Sequence, residues 1–213
     1  MVAAIVEAAA QVYSKNGLEA ATTNEIAERA GVSVGSLYQY FPNKLALLFA
    51  VNERLEIGVF SQAAAACRAG CHLPWPFALR QLTDAVAECI ALNRAVVHVI
   101  FRELPIEAMH APQYILTEEF AAAKAEHDRD LRKMLVVHRA HITVEVEEAV
   151  YMVPLIGKGA FAAILTTNPE HLLNGKLADM LTELQLKYLT SPQRIEDALA
   201  VALRHVVASK LEY

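Results

Sequence analysis

The sequence predicts an all-α protein: an N-terminal three-helix helix-turn-helix domain followed by a larger helical domain. Three observations carry that expectation. Apolar residues recur at three- and four-residue spacing through most of the chain. No stretch sustains the period-two alternation of a half-buried strand. Capping residues, glycines and prolines punctuate the periodic segments where helices would begin and end. Hydrophobic residues make up 55% of the 213 positions and mean hydropathy is +0.28, so there is ample material for a core. No uninterrupted apolar run reaches the ~18 residues of a membrane helix; the nearest, Ala149 to Leu165, is broken by Pro154 and Lys158. The surplus is therefore expected in a core, a ligand cavity and an oligomer interface, with no membrane. Met1 leads into an alanine-rich segment bearing Glu7, without the basic start and cleavage site of a signal peptide. Three cysteines, an odd number, point to a reducing cytoplasm rather than a disulfide scaffold.

The first helix is expected from Val2 to Asn16, with Ile5, Ala8 or Ala9 and Val12 on one face and Gly17 as its stop. Tyr13 reads as a core aromatic. Thr22-Thr23-Asn24-Glu25 is a capping box, in which a hydroxyl closes the first turn and a carboxylate three residues on reaches back. Ile26, Ala27 and Ala30 give this second helix a short apolar face, and Gly31 ends it in a left-handed conformation that costs glycine nothing. Ser33 can cap a third helix running to about Tyr40, with Leu37 and either Val34 or Phe41 turned inward. Two short helices across a tight glycine turn form a helix-turn-helix, whose second helix enters the DNA major groove.

The outward face of that third helix carries the functional clue. Ser33, Gly35, Ser36, Tyr38, Gln39 and Tyr40 combine small residues, hydroxyls, an amide and aromatics. Small residues permit close approach, glutamine can read adenine, and hydroxyls can bond phosphate. Asn43 then caps a further helix, where Lys44 and the helix terminus can grip one phosphate.

Residues 5 to 51 closely resemble the DNA-binding domain of the TetR family of bacterial transcriptional regulators. The shared pattern is an alanine-rich first helix, Gly17, Thr22-Thr23, Ile26-Ala27, Ala30-Gly31-Val32-Ser33, Gly35, Leu37-Tyr38, Tyr40-Phe41 and Lys44. The resemblance implies a DNA-binding domain over residues 1–48 and an effector-binding and dimerisation domain over 49–213. It further implies a ligand-responsive repressor, released from a pseudo-palindromic double-stranded DNA operator by a small, largely apolar molecule. Thr23, Ser33, Ser36, Tyr38 and Lys44 are the expected phosphate contacts; Val34, Gly35, Gln39 and Tyr40 are the base-proximal ones.

Charge pulls the other way. The chain has a net charge of −5. Within residues 1–48, Lys15, Arg29 and Lys44 face Glu7, Glu19, Glu25 and Glu28, although phosphate neutralisation normally supplies much of DNA affinity. Either basicity is local and dimerisation doubles a modest contact set, or a basic arm belongs upstream of the first helix, as TetR-like proteins usually have. The same acidity motivates an alternative: a helical small-molecule binding or assembly protein with weak DNA function.

From Asn43 a long helix is expected to about Ala66, with Leu45, Leu48, Val51, Leu55 and Val59 as its stripe. Gly58 can ease a bend there or permit close packing. The breakers of Gly70 to Pro76 precede a helix from Pro76 to Leu104, and Ile106 to Ala111 forms at most one turn between prolines. Further helices are expected over Gln113 to Arg139, from a Thr143 cap to Thr167 with a kink at Pro154, from Asn168-Pro169 to Thr190, and from Ser191 to Ala208. As the resemblance implies, the helices Glu145 to Thr167 and Glu170 to Thr190 make a homodimer interface. Its expected stripes are Ala149, Met152, Val153, Ile156, Ala160, Ala163 and Ile164, facing Leu177, Leu181, Leu184 and Tyr188; the alternative for either stripe is ordinary core packed within one subunit.

The helices that surround the effector cavity in the TetR family carry Cys89, Asn93, Val97, Phe101, Arg102, Tyr114, His138, Tyr151, Met152 and Phe161 here. The polar members would orient a ligand in a mostly apolar pocket, and Arg102 suits a carboxylate or its own neighbour Glu103. Cys67, Cys71 and His72 have a spacing that suits a metal or thiol sensor, but Gly70 interrupts it, and buried small hydrophobes are the simpler reading. His138, His141 and Glu145 straddle a helix boundary and read as surface groups. No nucleophile elbow, phosphate loop, HExxH or dinucleotide fingerprint occurs, so no catalytic residue, metal or cofactor is expected.

Overall fold

The computed structural model describes residues 1–104, 117–167, 170 and 174–190. Every regular element among them is helical. The helices are α1 Val2–Ala20, α2 Thr23–Ala30, α3 Val34–Tyr40, α4 Lys44–Gly70, α5 Phe77–Leu92, α6 Arg94–Glu103, α7 Glu118–Val137, α8 Val146–Thr167 and α9 Lys176–Leu189. A single 3-10 turn, Arg139–His141, follows α7.

The chain divides into two compact units. The first holds Met1–Gly58 and Leu92–Ala121; the second holds Val59–Ala91 and the described residues from Ala122 onward. α4 therefore begins in the first unit and ends in the second, and α6 belongs with the N-terminal helices.

The first unit closes around Ile5, Val12, Tyr13, Ile26, Leu37, Leu47 and Leu48, with Val96, Val99 and Ile100 of α6 completing the cluster. Each such side chain, fully withdrawn from water, contributes ~1.5–3 kcal/mol. α1 is longer than its apolar pattern suggested because the chain resumes helical form after a break at Gly17, whose φ of 75° only glycine adopts without strain. Glu53 of α4 accepts from both the backbone N–H (2.6 Å) and the hydroxyl (2.7 Å) of Thr117. Thr117 in turn accepts from the Phe120 N–H, so this threonine closes the start of α7.

The second unit packs Trp75, Leu79, Leu131, Met134 and Leu135 against α4, α8 and α9. Its indole N–H anchors Trp75 to Thr190 Oγ1 at 3.2 Å. Gly70 is required by space: a Cβ there would lie 2.7 Å from Met134 Sδ and 3.3 Å from the Ala78 Cβ. Gln185 of α9, 4% exposed, donates to the Val153 carbonyl of α8 and accepts from Thr83 of α5. That buried amide keeps three helices in one register and leaves no polar group unpaired.

Two elements depart from expectation. The helix expected from Pro76 to Leu104 is two helices, because Asn93 takes non-helical angles (φ −104°, ψ 12°). Thr143 does not cap α8; its N–H and hydroxyl both donate to the Leu189 carbonyl, tying the loop to the end of α9. As expected, α8 runs through Pro154 to Thr167. The expected turn at Ile106 to Ala111 and the helix from Ser191 to Ala208 lie outside the described residues.

Candidate nucleic-acid interface

The reading head is built by two caps and one glycine. Thr22 Oγ1 accepts from the Glu25 N–H at 3.1 Å and opens α2. The Glu25 carboxylate does not return to the cap; it accepts from Asn16 Nδ2 at 2.9 Å, tying α2 to α1 instead. Gly31 ends α2 at φ 68°, ψ 30°, and the Val32 N–H reaches back to the Ala27 carbonyl. Ser33 Oγ then accepts from the Ser36 N–H at 3.0 Å and lies 2.8 Å from the Ser36 hydroxyl. Leu37 and Phe41 are buried beneath α3, while Val34 packs at the edge of the core.

Burial of Leu37 fixes the rotation of α3 and so decides what faces outward. Tyr38 is 49% and Tyr40 47% exposed, and Ser33, Gly35 and Gln39 are exposed beside them. Thr23, at the first turn of α2, places its Oγ1 3.2 Å from the Tyr38 hydroxyl. One hydroxyl donates to the other, which leaves one O–H of the pair to offer an anion. Thr23, Ser33, Val34, Gly35, Ser36, Tyr38, Gln39 and Tyr40 thus fall on one short helical pair.

Lys44 is engaged within the protein. Its Nζ donates to the carbonyls of Leu18 (2.8 Å), Glu19 (3.0 Å) and Ala21 (3.1 Å). An ammonium has three donors, and all three are spent on the end of α1. The unpaired carbonyls at a helix C-terminus and the negative end of its dipole attract the cation. No spacing in the sequence signals this, because the partners lie 23 to 26 residues away.

The nearby cations are engaged as well. Arg29 Nη1 donates to Gln11 Oε1 at 2.8 Å, Gln11 donates to Glu7, and Glu7 pairs with Arg54. This chain of contacts links α2, α1 and α4, and the Glu7 carboxyl is held below its usual range, first by Gln11 and then by Arg54. The polar face of α3 is therefore built mainly of neutral donors.

The expected effector residues are divided between the two units. Asn93, Val97, Phe101 and Arg102 belong to the first unit; Cys89, His138, Tyr151, Met152 and Phe161 belong to the second. Val97 and Phe161 are buried, and Arg102 is exposed and paired with Glu103 at 2.7 Å. Tyr114 lies outside the described residues. Tyr151 is 69% exposed, because Ala149, Val150 and Val153 turn the opposite face of α8 inward. His138 is buried, not a surface group: its Nε2 lies 3.0 Å from the Gly70 carbonyl and its ring rests 5.4 Å from Trp75. Cys67 is fully buried, and burial pushes its thiol up to about 12, which keeps it protonated and unreactive.

Comparison with known proteins agrees with this geometry. Residues 5–51 match the sequence profile described as bacterial regulatory proteins, tetR family. The HTH-type transcriptional repressor KstR of Mycolicibacterium smegmatis is 50% identical over 44 residues, which is 21% of this chain and 22% of that protein. The nucleoid occlusion factor SlmA of Mannheimia succiniciproducens is 39% identical over 51 residues, 24% of each chain. The chain thus spans about a quarter or less of the length of the curated relatives it matches. At the level of fold the likeness is longer. The transcriptional regulator FadR of Bacillus subtilis, solved with stearoyl-CoA, superposes with a TM-score of 0.60 at 18% identity, covering 89% of this chain and 100% of that one. SmeT, repressor of the Stenotrophomonas maltophilia multidrug efflux pump SmeDEF, gives 0.59 at 16% identity, covering 91% and 92%. The tetR-family profile thus lies on the helices that carry Thr23 and Tyr38, and the fold of solved tetR-family regulators runs through the rest of the chain.

Proposed function

We propose that the protein is a ligand-responsive transcriptional repressor, which binds a pseudo-palindromic DNA operator as a homodimer and leaves it when a small, largely apolar molecule binds. The observation that carries this reading is the exposed face of α3. Nothing in the fold of the first unit requires Tyr38, Gln39 and Tyr40 to be solvent-exposed side by side, whereas a major-groove helix requires such a face. Residues 1–48 read DNA and 49–213 bind the effector and dimerise, in the cytoplasm where the operator is. The effector acts by differential affinity: it prefers a conformation whose two heads no longer fit the operator. The stearoyl-CoA held by the FadR structure supports an effector with a long apolar portion. Val97, buried in the first unit, and Phe161, buried in the second, are each proposed as effector-binding residues, as are Cys89, Asn93, Phe101, Arg102, Tyr114 and Met152.

The dimer surface is the outward face of α8 and α9. Tyr151 and Leu155 on α8, and Met180 and Leu184 on α9, are each 47–69% exposed and lie four residues apart on their helices. Gly159 and Ala163 extend the α8 row with small residues that let a second helix approach. Of the expected stripe, Ala149, Val153, Leu177 and Leu181 are buried within one subunit. Val146–Leu165 is long and apolar enough to cross a bilayer by length and composition alone. The Gln185 bond to Val153 and the buried Ala149 instead suit a helix packed in protein on one face and against a partner on the other.

Binding to DNA selected from a random pool, followed across salt concentrations, tests the reading. A titratable complex with a salt-dependent affinity is expected. If no sequence is enriched, the second reading gains: a helical small-molecule binding protein with weak DNA function, which the engagement of Arg29, Lys44 and Arg54 by protein groups favours.

A further inference from the structure

Lys44 and Tyr13 hold the first residue of α4 from two sides. The Lys44 ammonium binds the carbonyls of Leu18, Glu19 and Ala21, and the Tyr13 hydroxyl donates to the Lys44 carbonyl at 3.1 Å. Tyr13 is wholly buried and Lys44 is half-buried. The three carbonyls sit at the end of α1, where no intrahelical N–H follows them and Gly17 has already turned the chain. One residue later Thr22 caps α2. The clasp therefore joins three things: the α1–α2 corner, the start of α4, and, through the short Phe41-Pro42-Asn43 link, the end of α3. Asn43 Oδ1 accepts from the Ala46 N–H at 2.8 Å and closes the same first turn of α4.

We infer that Lys44 is a positioning residue, not a phosphate ligand: with Tyr13 it sets the direction in which α4 leaves the reading head, and so the separation of two heads on DNA. This rests on the proposed DNA-binding function. Three donors already satisfied by backbone carbonyls cannot also grip a phosphate without surrendering those bonds. The site lies at the point where a small rotation has most leverage, because α4 runs 27 residues from there, a length of about 40 Å at 1.5 Å per residue.

The test uses the full chain and a double-stranded operator enriched from a random pool by the wild-type protein, with copies carrying one or two base pairs more or fewer between half-sites. Lys44→Met and Tyr13→Phe are each expected to change which spacing binds best, in the same direction, with the best wild-type spacing losing about tenfold. Lys44→Arg, which keeps several donors, restores the wild-type ranking. The slope of log affinity against log salt stays as in the wild type. A slope smaller by about 0.9 per subunit contact in Lys44→Met alone would mark a lost phosphate contact and overturn the inference. An unchanged ranking with an unchanged slope would also overturn it, leaving only a stabilising role. If the pool yields no operator, the DNA-binding reading fails separately. Hydrogen exchange then decides the clasp: Lys44→Met should speed exchange of the amides from Ala20 to Ile26 at least tenfold, and unaltered exchange refutes it.

Discussion

The Tyr38 hydroxyl on α3 and Thr23 Oγ1 on α2 lie 3.2 Å apart, so one oxygen pair bridges the two helices of the reading head. The pair serves two ends. In the free protein it helps hold α3 against α2; on DNA its remaining donor capacity points outward from an exposed tyrosine. Tyr38→Phe and Thr23→Val each remove one hydroxyl while keeping the shape of the side chain. Each is expected to weaken operator binding by ~1.5 kcal/mol, about tenfold, as for a hydrogen bond to a charged group. The double variant should lose less than the sum, because the two groups touch. Fluorescence anisotropy at fixed salt measures this, and wild-type affinity in both single variants would sink the docking of this face.

Ser33 carries α3 almost alone. Its hydroxyl satisfies the Ser36 N–H, and the helix has only seven residues, too few to persist without its cap and the burial of Leu37. Ser33→Ala should destabilise the first unit by ~1 kcal/mol. Ser33→Asp should keep the cap and restore stability, but place a negative charge on the DNA-facing side and abolish binding. Thermal unfolding and operator titration of the two variants separate capping from contact.

What could be read from the sequence divides by range. The caps at Thr22 and Ser33, the stop at Gly31 and the inward turn of Leu37 were legible because each is a local demand met within four residues. The spent ammonium of Lys44 was not, since its partners come from another helix. Charge counting saw a weakly acidic domain but could not see that Arg29 and Arg54 were also engaged by protein groups. In the second unit the limit is different. α8 is apolar on nearly every side, so spacing alone cannot say which face a subunit buries and which it leaves for a partner. Ala149 and Val153 of the expected stripe are buried within one subunit, while Tyr151 and Leu155 of the same helix are exposed. A histidine beside a helix end normally lies in water, but His138 is buried here, against the Gly70 carbonyl and the Trp75 ring.

The outward rows of α8 and α9 make a direct prediction about assembly. Leu155→Glu and Leu184→Glu each place a charge in the centre of the proposed interface, where an unpaired buried carboxylate is costly. Both side chains are about half exposed in the single chain, so the subunit fold should tolerate them. Light scattering after size exclusion should show a dimer for the wild type and a monomer with unchanged helical content for either variant. Dimers in both variants would place the interface elsewhere.

Cys67 and Cys71 provide a check on the second core that needs no mutation. Cys67 is wholly buried with its thiol pushed up to about 12, while Cys71 is half-buried and donates its S–H to the Cys67 carbonyl. Alkylation of the native protein at neutral pH should modify Cys71 and leave Cys67 untouched, with Cys67 reacting only after denaturant is added. Mass spectrometry of the digested protein reads the ratio. Rapid native modification of Cys67 would mean that the α4 end of the second core opens freely.

Acid should weaken the second unit through His127. This side chain is 4% exposed, its ring centroid lies 5.4 Å from that of Phe60, and Nδ1 is 3.1 Å from Asp128. Burial is the largest influence and holds the imidazole below its ordinary 6.5, against the smaller opposite pull of Asp128. The sign follows from linkage. As pH falls through about 6.5 the unfolded chain takes up a proton that the folded chain still refuses. Between 6.5 and the lower folded value the unfolded state holds more protons, so stability declines on acidification by at most ~1.4 kcal/mol per pH unit. Asp128 and Asp130 are held below 3.8 and act in the same direction only in stronger acid, so they do not confuse the window between pH 7 and pH 5.5. His127→Gln removes the titrating group and keeps a polar atom for Asp128. Urea unfolding at the two pH values should show the loss in the wild type and a smaller loss in His127→Gln, and equal losses would mean that His127 is not the group that titrates.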